Sequence, residues 1–267
     1  MGPKRRGNAR SGWREHKALS GGYGGFAREL EMARRIQLSL LPDAPPLMRG
    51  IRLACRSIPA HHVGGDYYDF FRWDETTLDI AIADVSGHDL GAALIMVETR
   101  SVLRAHAYRA GNAGDALGLL NELLHDDLTR AELYISMFYA KYSADTRRLD
   151  YANGGHNPPL LLRCGEPGCR ELDTEGMVLG VMRDVKFEEK SILLREGDLL
   201  LFYTDGITES RDRGGELFGR DRLCKTVHAH RGVPPEDIID ALLAEVKIFI
   251  GGGEFQDDIS LVVMKVD

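Results

Sequence analysis

The chain has 267 residues, 43% hydrophobic and 28% charged, with a formal net charge of -7 and a sequence pI near 5.7. This balance suits a globular protein with a substantial core. It argues against a general nucleic-acid binder, which needs a basic face, and no apolar run is long enough to span a bilayer.

Residues 1 to about 25 lack periodicity, and the basic residues Lys4, Arg5, Arg6, Arg10, Arg14 and Lys17 cluster there. The stretch has no apolar centre and is not a secretory signal; its composition predicts a disordered basic leader over residues 1–26. From Ala27 to Leu41 the pattern turns helical, with Met32, Ile36 and Leu40 at i, i+4 spacing and Leu30, Ala33 and Leu41 beside them. Pro42, Pro45 and Pro46 end it. This linker helix, over 27–45, reads as a packed cap or as a lever joined to a partner.

Strands are predicted at Ile51 to Ile58 and Thr77 to Val85, with an aromatic stretch, Tyr67 to Phe71, between them. Two helices follow, roughly Leu90 to Arg109 and Asp115 to Leu128. Strands resume at Tyr134 to Tyr142, Arg148 to Ala152, Leu160 to Arg163, Ser191 to Leu194 and Asp198 to Tyr203. A helix from Val233 to Ile250 precedes the last strand, Ile259 to Val266. Strand runs without intervening helices argue against a doubly wound parallel sheet. Antiparallel sheets with helices packed outside, an α+β class, fit better.

Four cysteines, Cys55, Cys164, Cys169 and Cys224, form no Cys-x-x-Cys pair. Cys164 and Cys169 flank Gly165-Glu166-Pro167-Gly168, a hairpin turn across which a bridge is geometrically possible. The preferred expectation is reduced thiols in a cytoplasmic protein.

Four aspartate-bearing segments lie where strands begin or end: Gly64-Gly65-Asp66, Asp84-Val85-Ser86-Gly87-His88, Thr204-Asp205-Gly206 and Asp257-Asp258. An aspartate delivered by a buried strand is costly unless paired or metal-bound. Crowded carboxylates repel one another unless a cation neutralises them. With only oxygen donors and no zinc spacing, the ion expected is Mg²⁺ or Mn²⁺. Asp89 reads as a helix N-cap. His88 reads either as a general acid or phosphate contact or as a loop histidine, and His156, in Gly154-Gly155-His156-Asn157-Pro158-Pro159, is similar. Of Asp257 and Asp258, adjacent in a strand, one should face the ions and the other should bond locally.

These motifs, with Glu31-Met32-Ala33-Arg34-Arg35-Ile36-Gln37, Leu40-Leu41-Pro42, Asp205-Gly206-Ile207-Thr208-Glu209 and Leu217-Phe218-Gly219, resemble those of bacterial PPM-type metal-dependent protein phosphatases. The branch is the one typified by sporulation stage II protein E and the stress-sigma regulator phosphatases. The resemblance runs from about Glu29 to Val266 and makes residues 46–267 the phosphatase domain. It implies a four-layer αββα sandwich, two central antiparallel sheets flanked by helices, with a two-metal site at one edge. By motif, Asp84 would bridge two Mn²⁺ or Mg²⁺ ions. Asp66 and the Val85 carbonyl would hold one, and Asp205 and Asp257 the other. The activity implied is hydrolysis of phosphoserine or phosphothreonine on a regulator of the anti-sigma-factor-antagonist kind. The helix 27–41 would self-associate or dock an activator. Ser86 stands where the animal branch has a candidate histidine acid, which leaves His88 or metal-bound water for that role. The branch's phosphate-binding arginine has no clear counterpart here. Two rivals stand beside this reading: a non-catalytic binding module of the same fold, and a small-molecule phosphohydrolase.

Overall fold

The computed structural model describes residues 22–87 and 89–267. The expected disordered leader therefore falls mostly outside the described residues, and its last residues are helical instead. In chain order the elements are α1 (Gly22–Leu40), β1 (Ile51–Ile58), β2 (Tyr67–Arg72), β3 (Thr77–Val85), α2 (Leu90–His106), a short 3-10 turn (Ala107–Arg109), α3 (Ala113–Ala131), β4 (Ile135–Ser143), β5 (Arg148–Gly154), β6 (Leu160–Leu162), β7 (Arg170–Glu171), β8 (Lys190–Leu193), β9 (Leu199–Tyr203), α4 (Asp205–Thr208), α5 (Gly219–Ala229), α6 (Pro235–Phe249) and β10 (Ile259–Val266).

The strands form two five-stranded antiparallel sheets, ordered β1-β10-β9-β6-β7 and β2-β3-β4-β5-β8. Alternation along each strand builds three apolar layers. Even-numbered residues of β3, β9 and β10, among them Leu78, Ile80, Ile82, Leu200, Phe202, Val262 and Met264, meet between the sheets. Odd-numbered residues face outward. In β3, Ala81, Ala83 and Val85 pack under α2 and α3 through Met96, Leu117 and Leu124. In β9 and β10, Leu201, Tyr203, Leu261 and Val263 pack under α5 and α6 through Leu223, Val227, Ile239 and Leu242. The central strands carry apolar residues on both faces over much of their length, as in Ile80–Ala83 and Leu199–Tyr203, which is why these read as continuous runs. The layers are helix, sheet, sheet, helix, the architecture the resemblance implied.

Helix ends follow local chemistry. Asp89 caps α2, its carboxylate accepting from the Ala92 N–H at 3.0 Å. Asn112 caps α3 through the Asp115 N–H at 2.7 Å. Pro235 opens α6, where its missing N–H costs nothing.

Three expectations need correction. The aromatic stretch Tyr67–Phe71 is itself a strand, β2. The polar helix α5 was not expected, because its apolar stripe is thin: Leu223 and Val227 are its buried residues. The thiols are not all reduced: Cys169 and Cys224 form a disulfide with their Cα atoms 6.0 Å apart, while Cys55 and Cys164 are free. The 160–171 hairpin exists, with Leu160 opposite Glu171 and Leu161 opposite Arg170. Continuing that register puts Cys169 opposite Leu162. Both then face the outer layer, where Cys224 of α5 also packs. Cys164 has no such partner across the turn. No helix of the described chain is long and apolar enough to cross a membrane.

α1 buries a different stripe from the one its leucines and methionine suggested. Gln37 is buried, as is Leu41 just beyond the helix, and Leu38 packs against the outer core. Phe26, Met32 and Ile36 are exposed, at 61%, 59% and 55%.

Candidate metal centre

Strand parity gathers the aspartates. Asp84, near the end of β3, has the parity of Ile80 and Ile82 and faces the space between the sheets. Tyr67 pairs with Ala83, so the register carries Asp66, one residue before β2, opposite Asp84. From the other sheet, Tyr203 pairs with Leu261, which sets Thr204 opposite Ser260. The Thr204 N–H donates to the Ser260 carbonyl at 3.1 Å, and the Ser260 N–H donates to Thr204 Oγ1 at 2.8 Å. Thr204 Oγ1 in turn donates to Asp66 Oδ2 at 2.7 Å, a bond between the two sheets. Asp205 follows at once and opens α4.

Glycines let the loops close. A Cβ on Gly65 would stand 2.6 Å from the Val85 carbonyl oxygen and 3.3 Å from Asp84 Oδ1. A Cβ on Gly64 would sit 2.0 Å from Asp258 Oδ2, and one on Gly206 would sit 2.0 Å from the Asp258 carbonyl oxygen. Side chains at these positions would force the aspartate segments apart.

The two adjacent aspartates point opposite ways. Asp258 is buried and bonds locally: Oδ1 accepts from the Ala60 N–H at 2.8 Å and Oδ2 from the Gly65 N–H at 2.8 Å. Asp257 is exposed, and its Oδ1 accepts from the Asp258 N–H at 2.8 Å.

Electrostatics show that the carboxylates share one region. Burial pushes the Asp66 carboxyl well above the usual range, and the Asp84 and Asp258 charges push it further. Asp84 is raised to about 8 by burial and then by Asp205, Asp257 and Asp258. Asp205 is raised to about 6 by burial, Asp257 and Glu209. No lysine or arginine is among the causes acting on these three. As placed, no three acidic, histidine or cysteine side chains among the described residues converge on a single point. The donors are thus gathered but not closed around an ion. They are oxygen donors in mutual repulsion, which fits hard divalent cations.

His88 lies outside the described residues. His156 is buried and held to about 4 by burial. Two contributors have no role assigned from the sequence, although the first closes the Glu31–Gln37 motif. Gln37 of α1 grips Gly64 by both backbone groups: Nε2 donates to the Gly64 carbonyl at 2.7 Å, and Oε1 accepts from the Gly64 N–H at 3.0 Å. Arg104 of α2 forks onto buried Asp69 of β2 at 2.7 and 2.6 Å, and Tyr67 Oη donates to the same carboxylate at 2.7 Å. A buried glutamine in the linker helix is the signal that would have found the first. The second needed the tertiary fold.

Residues 74–267 match the family described as Stage II sporulation protein E (SpoIIE). The phosphoserine phosphatase RsbU of Bacillus subtilis (strain 168) is 28% identical over 253 residues, covering 95% of this chain and 74% of that protein. Protein IcfG of Synechocystis sp. is 29% identical over 262 residues, but this chain spans only 41% of its length. Among solved structures, the SiaA-PP2C domain of Pseudomonas aeruginosa superposes with a TM-score of 0.79 at 20% identity, covering 93% of this chain and all of that one, a likeness of fold. The aspartates brought together by strand parity thus lie in a chain that belongs to the Stage II sporulation protein E family of PPM-type protein phosphatases.

Proposed function

We propose that the protein hydrolyses phosphoserine or phosphothreonine on a regulatory protein, using two Mn²⁺ or Mg²⁺ ions held by Asp66, Asp84, the Val85 carbonyl, Asp205 and Asp257. The observation that carries this reading is the gathering of carboxylates from both sheets, Asp66 buried and Asp84 and Asp205 half-buried, whose pKa values are raised by burial and by neighbouring carboxylates with no cation among the causes. When bound, the ions supply the Lewis acidity that makes water a nucleophile near neutral pH and offset phosphoryl charge.

The chain's own residues divide the work. Asp84 feels Asp205 and Asp257 and itself raises Asp66, which suits it to bridge two ions. Asp66 and the Val85 carbonyl, packed against Gly65, serve the first position, and Asp205 and Asp257 the second. Asp258 holds the Gly65 backbone instead of an ion. Thr204 fixes the orientation of Asp66. His88, between Gly87 and the N-cap Asp89, is the residue proposed to protonate the leaving oxygen.

The test is Mn²⁺-dependent hydrolysis of an aryl phosphate and a phosphoserine peptide. Asp84→Asn or Asp205→Asn should abolish both, by 100-fold or more in kcat on the scale of a lost charge-stabilising group. Equal activity in the variants would exclude this site. Nucleotide hydrolysis exceeding that of the phosphopeptide would favour the small-molecule rival.

The similarity to a phosphoserine phosphatase supports a phosphoserine substrate, and the motif resemblance is what suggests a regulator of the anti-sigma-factor-antagonist kind. The exposed Phe26, Met32 and Ile36 of α1 support self-association or activator docking there. Deleting residues 1–41 should change activity or oligomeric state.

A further inference from the structure

We propose that Ser86 is a positioning residue: its hydroxyl stands in for its own carbonyl at the end of the β3–β4 ladder and so fixes the direction of the Val85 carbonyl. The inference rests on the reading of that carbonyl as a ligand of a two-ion centre.

The ladder sets the starting point. Asp84 pairs with Ser136 and Val85 with Ile135, and Ser86 and Tyr134 continue the register just beyond the strand ends. In a regular antiparallel pair of this kind the two residues exchange two backbone bonds. Here one is kept, the Ser86 N–H donating to the Tyr134 carbonyl at 2.9 Å. The return bond goes to the side chain: the Tyr134 N–H donates to Ser86 Oγ at 3.0 Å. A serine hydroxyl that captures a backbone N–H in this way competes with the ladder and ends it. The chain then leaves the sheet through Gly87, whose φ of +91 suits glycine, and reaches Asp89, the cap of α2.

The partner is a fixed post. On one side of Tyr134 the Leu133 N–H donates to the Leu128 carbonyl of α3 at 3.0 Å. On the other, Ile135 and Leu179 exchange two backbone bonds of 3.1 and 2.8 Å. The Tyr134 side chain is 48% exposed, so it is the Tyr134 backbone that holds Ser86.

The two bonds act on Val85 through the peptide plane. The Val85 carbonyl and the Ser86 N–H belong to one trans peptide and point opposite ways. A Ser86 N–H aimed at Tyr134 therefore turns the Val85 carbonyl away from β4 and toward Gly65. The distances agree: a Cβ on Gly65 would stand 2.6 Å from the Val85 oxygen, and the Val85 N–H donates to the Gly65 carbonyl at 3.3 Å. Asp66 follows Gly65 directly, so the carbonyl is aimed at the loop that carries the aspartate proposed to share its ion. A single bond from Ser86 would act as a hinge about which this peptide tilts. The second bond, from the side chain of the same residue, removes that freedom. Without the hydroxyl, the Tyr134 N–H turns to water or to the carbonyl of residue 86. Either outcome moves the point where the chain leaves the sheet and tilts the Val85 carbonyl with it.

The test titrates the metal-free protein with MnCl2 by calorimetry and measures aryl phosphatase kcat at saturating Mn²⁺. The variants are Ser86→Ala, Ser86→Thr, Ser86→Cys and Tyr134→Ala, each checked for folding by thermal melting. Ser86→Ala should lower Mn²⁺ affinity by about fivefold or more, the scale of one lost hydrogen bond, while kcat at saturating Mn²⁺ stays within a few-fold of wild type. Ser86→Thr keeps the hydroxyl and should restore the wild-type isotherm. Ser86→Cys, whose sulfur is a weak acceptor, should weaken binding as alanine does, and it carries the test if Ser86→Ala does not fold. Tyr134→Ala keeps the backbone N–H and should bind as wild type does. Unchanged isotherms in folded Ser86→Ala or Ser86→Cys overturn the inference alone. So does a threonine variant as weak as alanine, or a Tyr134→Ala loss equal to that of Ser86→Ala. A kcat loss that Mn²⁺ does not repair also overturns it, since that marks a hydroxyl acting on substrate. Wild-type protein that binds no Mn²⁺ overturns the two-ion reading and this inference with it.

Discussion

Replacing Gln37 by leucine should release α1 from the Asp66 loop without unfolding the domain. Gln37 is 5% exposed and satisfies both the N–H and the carbonyl of Gly64. Leucine fills similar space but leaves two buried backbone groups unpaired, at about 1–3 kcal/mol each. Lifting the helix lets water reach those groups, so the lower part of the summed range applies, about 2–4 kcal/mol. At about 1.4 kcal/mol per decade this raises local opening about 30- to 700-fold. Other restraints include Leu38 and Leu41 in the core edge, Arg100 Nε donating to the Leu40 carbonyl at 2.6 Å, and Arg34 Nη1 donating to the His61 carbonyl at 3.2 Å. Hydrogen exchange should therefore accelerate over residues 30–41 and 60–66 while the strands of both sheets keep their protection. Calorimetry should show weaker Mn²⁺ binding. Gln37→Glu keeps the acceptor for the Gly64 N–H, loses the donor and adds a negative charge near the acidic site. It should open at least as readily. Unchanged exchange across residues 30–41 in Gln37→Leu would refute the reasoning.

With metal removed by chelator, the melting temperature should fall as pH rises from about 4 to about 8. Asp84 and Asp205 are raised to about 8 and about 6 in the folded state. Over that window the folded state therefore binds more protons than the unfolded chain, and stability drops as they leave. Saturating Mn²⁺ should flatten the slope, and a metal-free protein whose melting rises over the window would contradict the repulsion argument. Gly206→Ala should lower the urea midpoint by the equivalent of about 3 kcal/mol, because the added methyl lands on the Asp258 backbone carbonyl, which cannot rotate away. Reducing Cys169–Cys224 reopens a loop of 55 residues. The chain-entropy argument puts the loss at up to about 4 kcal/mol, readable as a lower urea midpoint in reductant that Cys169→Ser/Cys224→Ser reproduces without it.

Much of the sandwich was legible because its central strands are buried on both faces. Ile80 to Ala83, Leu199 to Tyr203 and Leu261 to Met264 are apolar at even and odd positions alike, and each lies within a few residues of a site aspartate. β2 escaped because its pattern, Tyr67 to Arg72, carries Asp69 in its middle. That charge is neutralised by Arg104 reaching it from α2, with Tyr67 Oη and the Phe70 N–H donating to the same carboxylate, and no local pattern reveals the arginine. α5 escaped because a helix resting on two residues has almost no amphipathic signature. The disulfide depends on which face Cys169 takes in a hairpin register, and that is fixed by tertiary pairing. In the site, alternation along the chain leading into β10 anticipated that Asp257 and Asp258 would diverge, although both lie just before the strand. The identity of what holds Asp258, the N–H groups of Ala60 and Gly65, is not legible there.

Gln37 and Asp258 together explain why a helix so poorly buried belongs to the site at all. The loop from Ala60 to Asp66 is gripped at Gly64 by α1 and at Ala60 and Gly65 by Asp258. The Asp258 grip comes from the residue just before the central strand β10. The Gln37 grip belongs to a helix whose Met32 and Ile36 face solvent, so a partner docked on that stripe, as proposed above, would act on its occupancy. Couplings between sites commonly amount to about 1–3 kcal/mol, and two neutral hydrogen bonds of about 1 kcal/mol each fall in that range. A grip much stronger would lock Asp66 in place whatever bound α1, and one much weaker would leave it indifferent. Its size suits a control element for the position of Asp66.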